Sequence, residues 1–368
     1  MGEKYMKNIL IVSHGAALGG SPISALNIGR YIDKSNYKPI FVFGEHGPVV
    51  DIVKKEGFKV YIVKKRGLLS IPTMFDFYKI IKQENIALVH LNTLTSYYKY
   101  PAIISRLLIR KVVWFVRENP EEKRCLKLAN YINNFSDKIV TVSYDTAKHM
   151  TYANADKLMT IHNGINIDFG EKVDKTESYK VLNLDSNNTY LTTIASLETR
   201  KGILELIESF NSIKNQINKN TKLLIVGKDR TSKQEYLSQI KTKIDNYELQ
   251  DRVILYGESR NIKEIMSISK IFILNAYWEG LSRVILEAMI CSKPIVASSN
   301  GGNKEQVLEG INGYTFDAGN IEELSRKLVQ VLKSDLDVLG EKSKQLAIEK
   351  FDIKDTTAKI ENLYKSVL

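Results

Sequence analysis

The sequence is short of the residue types that most readily betray a function. Its 368 residues include two cysteines, five histidines, two tryptophans and seven prolines. Cys125 and Cys291 lie far apart and match no metal or redox spacing, which excludes a disulfide framework and leaves two reduced thiols as the expectation. The histidines, His14, His46, His90, His149 and His162, show no ligand spacing and support no Ser-His-Asp order. His14 ends the first strand-like run and is expected to face a ligand cleft, while His90 and His162 read as ordinary strand-end residues. No run approaches the ~18 apolar residues of a membrane span, and no charged, apolar, small-residue series resembling a signal peptide opens the chain. A cytoplasmic setting is therefore expected. No repeat of solenoid length is present.

Charge is present but uneven. Of the net +11, residues 1–170 supply 24 basic and 14 acidic side chains, and the remainder 29 and 28. A basic first half attracts nucleic acid, an acidic membrane surface or a phosphorylated substrate; the plainer alternative is a lysine-rich surface kept for solubility.

The length predicts roughly two domains. Short β-branched runs, NILIVS (8–13), IFVF (40–43), FKVYIV (58–63), ALVHL (87–91), KVVWFV (111–116), KIVTVS (138–143) and KLMTIH (157–162), alternate with helix-length segments. After a polar stretch without periodicity, the alternation restarts with TYLTTIA (189–195), KLLIVG (222–227), RVILYG (252–257), KIFILN (270–275) and KPIVAS (293–298). Near-continuous apolar strands between helices indicate parallel sheets covered on both faces. The expected class is α/β, with two Rossmann-like doubly wound domains: 1–165, a linker at 166–188, then 189–350, with a helix at 351–368 packing back towards the first domain. Ligands bind outside the carboxyl ends of parallel strands, so two such domains facing one another would enclose a cleft.

One segment carries two carboxylates at a telling spacing. In WEGLSRVILEAM (278–289), Glu279 occupies a strand-to-helix turn and Glu287 lies inside an apolar helical pattern. Gly280 would allow close approach to backbone, and the amides around Leu281 and Ser282 at the helix start would face an anion. The two carboxylates are spaced roughly 8–12 Å along a helix, about the span of a diphosphate joining two sugars. The competing reading is a solvated turn Glu and a helix-surface Glu.

This segment resembles the hallmark of the retaining GT-B nucleotide-sugar glycosyltransferases of family 4, in which two glutamates flank seven residues. EGLSRVILEAMICSKPIVASSNGGNKEQV (279–307) follows that pattern almost throughout and continues as EGINGYTF (309–316). Upstream, LETRKGILELIESF (197–210), IHNGINIDF (161–169) and LGGSPISALNIGRYI (18–32) resemble other family segments, so the likeness covers most of the chain. The resemblance implies a GT-B fold and transfer of a sugar from a nucleoside diphosphate sugar, UDP-sugars favoured, to a glycan or lipid-linked acceptor, as in synthesis of bacterial surface polysaccharide. It implies that Glu287 holds the ribose, Glu279 the donor-sugar hydroxyls and Lys201 the diphosphate, with Gly19 and Gly20 closing over the same phosphates. No cofactor and no metal are implied. Where the family has Gly-Arg, this chain has Ala195 and Ser196, and Arg200 is the candidate replacement for the missing cation. Where many members have a histidine after the fifth strand, this chain has Arg117 and Glu118, which are assigned with His14 to the acceptor side. Tyr256 and Gly257, at a strand end, are candidates for reading the base.

Competing motifs are weaker. Asp335-Leu336-Asp337 fits a metal-holding Asp-x-Asp but falls in a polar helical stretch, and is read as a helix surface or cap. GAALGG (15–20) has neither dinucleotide nor P-loop spacing. A nucleotide-sugar epimerase on the same fold, a non-catalytic sugar-binding protein, and a nucleic-acid-binding protein remain alternatives, although no recognised nucleic-acid module is present and none is expected as a partner. YYKYPAIISRLLIRK (97–111) and KKRGLL (64–69) mix basic with aromatic and apolar residues. They suit either a peripheral place on an anionic inner membrane face or a core helix with a basic outer face.

Overall fold

A computed structural model describes residues 6–66, 70–119, 122–229 and 233–368, without the side chains of residues 122 and 124. The chain forms two units, Met1–Gly164 with Ile353–Leu368, and Ile165–Asp352. The first contains β1 (Lys7–Ser13), α1 (Gly20–Tyr31), β2 (Tyr37–Phe43), α2 (Pro48–Lys55), β3 (Lys59–Ile62), α3 (Ile71–Gln83), β4 (Ile86–Leu91), α4 (Lys99–Leu107), β5 (Lys111–Val116), α5 (Glu122–Phe135), β6 (Lys138–Thr141), α6 (Tyr144–His149) and β7 (Leu158–Thr160). The second contains α7 (Lys175–Leu182), β8 (Thr189–Ile194), α8 (Ile203–Ile213), β9 (Thr221–Val226), α9 (Glu235–Asn246), β10 (Val253–Gly257), α10 (Ile262–Ile268), β11 (Ser269–Leu274), α11 (Arg283–Ile290), β12 (Ile295–Ser298), α12 (Asn303–Gln306), β13 (Gly313–Phe316), α13 (Ile321–Lys333) and α14 (Leu336–Phe351). The last helix, α15 (Ile353–Val367), belongs to the first unit.

Each sheet is wholly parallel. Strand order is β3-β2-β1-β4-β5-β6-β7 in the first unit and β10-β9-β8-β11-β12-β13 in the second. Side chains alternate between two cores. From β1, Ile9 and Ile11 join Phe41, Phe115 and α1's Leu26 on one face, while Leu10 and Val12 join Val42, Val89, Trp114 and α3's Phe77 on the other. Two apolar faces explain why the strands read as unbroken hydrophobic runs. Strand order reverses between β1 and β4, and again between β8 and β11. At each reversal the flanking crossovers leave in opposite directions, which opens a crevice at the strands' carboxyl ends.

α15 supplies part of the first unit's core. Its Ile360, Leu363 and Tyr364 are buried beside Tyr37 and Phe41, and the Tyr364 hydroxyl meets Nδ1 of the fully buried His90 at 2.7 Å. Gly164 sits against the helix start, where a Cβ would lie 2.6 Å from Ile353 Cα.

The structure changes three expectations. The stretch 166–188 is no featureless linker: it contains α7, N-capped by the Asp174 side chain, with Leu182 buried against the second unit's Tyr190 and Ile268. An eight-residue capped helix that buries only Ser178 and Leu182 is too short to register as periodicity. β13, in EGINGYTF, was not counted among the strands. Finally, the segment 97–111 is chiefly a core element: Tyr97, Tyr98, Tyr100 and Ile104 are buried, leaving Arg106, Leu107 and Ile109 exposed. Of the second basic segment, Lys64, Lys65 and Arg66 are exposed, while Gly67, Leu68 and Leu69 lie outside the described residues.

Replacing Tyr364 by Phe removes the partner of His90 Nδ1. His90 Nε2 already has no hydrogen-bond partner, so the buried ring is left still less satisfied; stability should fall by about 1–3 kcal/mol, measured by urea unfolding. An unchanged midpoint would show that α15 is held by packing alone.

Candidate functional site

The second unit gathers charge at its strand reversal. After β8 the chain passes Ala195 and Ser196, makes a single helical turn over Thr199–Lys201, and enters α8 through Gly202. Gly202 has φ +56° and would place a Cβ 2.4 Å from Asn275 O, so only glycine fits here. Asn275, at the end of β11, secures the turn by donating from Nδ2 to the Gly202 carbonyl at 2.8 Å. The loop after β11 then brings Glu279 to the same place. Lys201 Nζ contacts Glu279 Oε1, and Arg200 Nη1 lies 3.6 Å from that oxygen. Arg200 Nε also donates to Glu198 Oε2 at 2.9 Å. Ser196 hydrogen-bonds the same Glu198 carboxylate.

Burial, and then the adjacent Arg200 guanidinium, pull the Lys201 ammonium down to about 7, against the Glu198 carboxylate, which pulls it up. The Glu198 carboxyl in turn is held below its ordinary value: burial raises it, but Ser196 and Arg200 together outweigh burial. Two cations and two carboxylates thus neutralise one another at the crevice.

Glu287 is the fifth residue of α11, about one turn in, and is buried. Arg283, one turn earlier, donates from Nε to Glu287 Oε1 at 2.9 Å. Gly280 and Leu281 are buried in the approach to the helix. The expected anion-facing amide of Ser282 is not available, because it donates to Gln306 Oε1 at 3.0 Å while Gln306 Nε2 donates back to the Ser282 carbonyl at 2.8 Å. A glutamine 24 residues downstream cannot be foreseen from the local pattern. Tyr256 and Gly257 end β10, an edge strand separated from β11 by β9 and β8, about 14 Å at the usual spacing. The Gly257 carbonyl accepts from the Gly227 amide at 2.8 Å.

In the first unit the reversal between β1 and β4 brings together His14, Asn92 and the start of α1. His14 is exposed, and both its backbone N–H and its Nδ1 meet the buried Tyr98 hydroxyl, at 3.0 and 3.1 Å. Gly19 precedes α1 in an extended conformation and gives it no side-chain cap. Arg117, directly after β5, donates to Asn92 and Asn163, and Glu118 Oε1 accepts from Thr93 Oγ1 at 3.3 Å. Sequence reasoning missed Glu198, Asn275, Arg283, Gln306, Asn92 and Asn163. The i, i+4 spacing of Arg283 and Glu287 was a usable signal, as were asparagines closing two of the strand runs. Asp335 of the Asp-x-Asp caps α14, accepting from the amides of Asp337 and Val338. Among the described residues no group of three or more His, Cys, Asp or Glu side chains could hold a metal ion.

Comparison with known proteins adds to this geometry. Residues 174–351 match the family described as Glycosyl transferases group 1, and residues 18–169 match Glycosyltransferase Family 4. The N-acetyl-alpha-D-glucosaminyl L-malate synthase of Bacillus anthracis is 25% identical over 238 residues, covering 63% of this chain and 60% of the relative. An Escherichia coli protein, UDP-Gal:alpha-D-GlcNAc-diphosphoundecaprenol alpha-1,3-galactosyltransferase, is 23% identical over 348 residues, 87% of each chain. In fold, the chain is similar to Anabaena HepE, solved with UDP and glucose: TM-score 0.88 at 20% identity, covering 98% of this chain and all of that one.

The ion cluster makes an asymmetric prediction. Glu279→Gln leaves Lys201 and Arg200 as neighbouring cations with one carboxylate fewer, and should cost about 3–5 kcal/mol. Lys201→Met leaves Glu279 with Arg200 and should cost less. In Glu279→Gln the depressed Lys201 ammonium binds fewer protons folded than unfolded above about pH 7, so stability should rise with pH from 7 towards 10. Equal costs in calorimetry at pH 7, or a flat profile, would contradict this account.

Proposed function

The chain belongs to the GT-B glycosyltransferases of family 4, and from that membership we propose that it transfers a sugar, with retention, from a nucleoside diphosphate sugar to a glycan or lipid-linked acceptor of bacterial surface polysaccharide synthesis. The preference for a UDP-sugar follows the UDP of the Anabaena complex and the UDP-Gal in the name of the Escherichia coli relative. The observation that carries the reading is the Lys201–Glu279 pair at the second unit's strand reversal, with Arg200 beside it and Glu287 one turn into α11.

Without ligand, cation and carboxylate satisfy each other. A donor brings a diphosphate for Lys201 and Arg200 and hydroxyls for Glu279, so one buried ion pair is exchanged for two sets of charge-assisted hydrogen bonds. As the bond from the anomeric carbon to the diphosphate breaks, negative charge grows on the departing oxygen, where both cations are aimed. The acceptor oxygen bonds to that carbon on the same face, and its proton passes to the departing phosphate. The two cations do the electrostatic work, so the scheme assigns no role to a metal. Arg283 occupies one oxygen of Glu287 and leaves the other for ribose hydroxyls. Gly280 keeps the approach to the backbone open, while Ser196 acts through Glu198. Gly19 and Gly20 would cover the donor phosphates, and His14, Arg117 and Glu118 would serve the acceptor.

A lipid-linked acceptor calls for a place at a membrane, and no described helix is long and apolar enough to cross one. The surface suited to peripheral contact is the outer face of α3. Ile71, Phe75 and Tyr78 are exposed there at helical spacing, with Lys79 and Lys82 over the Phe75 and Tyr78 rings and Lys64, Lys65 and Arg66 exposed just before. Apolar side chains rimmed by cations match an anionic bilayer.

Thermal unfolding in EDTA with UDP, GDP and ADP tests the donor site. One nucleotide, UDP by expectation, should stabilise by about 2.7 kcal/mol at 100 times its dissociation constant, and Glu287→Ala and Lys201→Ala should abolish the shift. Affinity should weaken as pH rises from 7 to 9, because the Lys201 charge is lost early, and Lys201→Arg should flatten that slope. Indifference to all three nucleotides would sink the reading. For the membrane, sedimentation with phosphatidylglycerol vesicles at low salt should fall at least tenfold in Phe75→Glu, with no binding to phosphatidylcholine; equal sedimentation of both proteins would remove α3 from the account.

A further inference from the structure

The first unit holds a guanidinium that no carboxylate among the described residues neutralises. Arg117 lies over the Phe115 ring at 5.0 Å. Its Nε donates to Asn92 Oδ1 at 2.7 Å and its Nη1 to Asn163 Oδ1 at 2.5 Å, and Nη2 donates to nothing among the described residues. No described carboxylate is within ion-pair distance. The adjacent Glu118 is engaged instead by Thr93. Burial draws the guanidinium down to about 10, which still leaves it charged at neutral pH. Arg117 is partly buried, and a cation drawn partly out of water with only amide oxygens for company is costly, because those oxygens replace hydrogen bonds to water but supply no counter-charge.

The neighbouring side chains avoid adding to that charge without cancelling it. His90, stacked on the same Phe115 ring at 4.2 Å, is kept neutral by its burial and by Arg117 itself, which push it well below its ordinary value. Tyr98 and Tyr364, the other polar groups nearby, are raised by burial and stay un-ionised. The cation is therefore maintained and left uncompensated.

What surrounds it has the form of a receptacle. Asn92, which holds Nε, is itself held by Ser21 in the first turn of α1, through Nδ2 to the Ser21 carbonyl at 2.7 Å and to its hydroxyl at 3.0 Å. Arg117 is thus braced against the start of a 12-residue helix that has no side-chain cap. The Gly20 and Ser21 amides donate to nothing among the described residues, so the positive end of the helix dipole is uncovered. Neither Gly19, which precedes the helix, nor Gly20, which opens it, is required by the backbone. Gly19 has φ −146°, and a Cβ on Gly20 would meet nothing within 4 Å. Space has been left beside uncovered amides and next to a fork of guanidinium donors.

We propose that Arg117, clamped by Asn92 and Asn163 beside the α1 start that takes the donor phosphates, binds an anionic group, phosphate or carboxylate, carried by the acceptor. The word acceptor rests on the glycosyltransferase reading; the anion site rests on the first unit alone. A guanidinium fork suits a two-oxygen anion, and the incoming charge supplies the compensation that the fold withholds.

The full chain, in EDTA and at constant ionic strength in chloride, would be titrated with inorganic phosphate, pyrophosphate and succinate while thermal unfolding is followed, with and without saturating UDP. At least one probe should raise the melting temperature with UDP present. That shift should need at least tenfold more probe in Arg117→Met, survive in part in Arg117→Lys, and be unchanged in Lys201→Ala. Phosphate or pyrophosphate acting alone would mark a phosphorylated acceptor, succinate alone a carboxylated one. If Arg117→Met does not fold, Asn163→Ala decides, with at least a threefold weaker response expected. The proposal is overturned if no probe acts in the presence of UDP, if Arg117→Met responds as the unaltered protein does, or if UDP and Lys201→Ala each abolish the response, which would make the anion the donor's diphosphate. Binding of the probes through Arg117 by a protein indifferent to UDP would remove the donor reading and leave this one standing.

Discussion

A parallel strand must be reached by a crossover that returns over a face of the sheet, and the near-universal right-handedness of that crossover leaves one way to cover both faces, which is to reverse the strand order partway. Both units obey this constraint, at β1/β4 and β8/β11. The reversal is the place where no helix covers the strand ends. Each polar cluster described above is at such a point: His14 and Asn92 at the first, Gly202, Asn275 and Glu279 at the second. The chemistry is located by topology before any individual residue is chosen.

The two crevices treat positive charge in opposite ways. In the second unit Lys201 and Arg200 are matched by Glu279 and Glu198, so the site is electrically quiet and a ligand must displace a partner to enter. In the first unit Arg117 has neutral partners only. A ligand there displaces nothing charged. The uneven charge of the sequence, nearly all of the excess lying before residue 171, is consistent with this division, although most of those lysines are simply solvated.

Much of the fold was legible because its strands are buried on both faces. Runs such as KVVWFV and KIFILN carry no ambiguity of period when every position is apolar, and the helices between them fill the gaps. Short pieces were less legible: α7 shows only Ser178 and Leu182 to the core, too little for a periodic signal, and β13 hides in a glycine-containing turn. The site divides in the same way. Lys201 and Glu279 could be placed near one another because each lies in the loop that follows a central strand, β8 or β11, where topology fixes its position. Ser282 was misread because its amide is claimed by Gln306, a partner set by tertiary packing. That Tyr256 and Gly257 end an edge strand is likewise hidden, because sequence order does not reveal that β10 is at the edge.

The last helix has a consequence for how the protein is made. The second unit is one continuous stretch, Ile165–Asp352, and has everything it needs once that stretch has left the ribosome. The first unit does not. Its core lacks Ile360, Leu363 and Tyr364 until residues 353–368 emerge, and until then His90 and the apolar face around Phe41 stand open. Synthesis therefore inverts the usual order in which the N-terminal domain folds first: the first half translated is the last to be completed, and a ribosome that stalls short of residue 353 releases a finished second unit attached to an unfinished first.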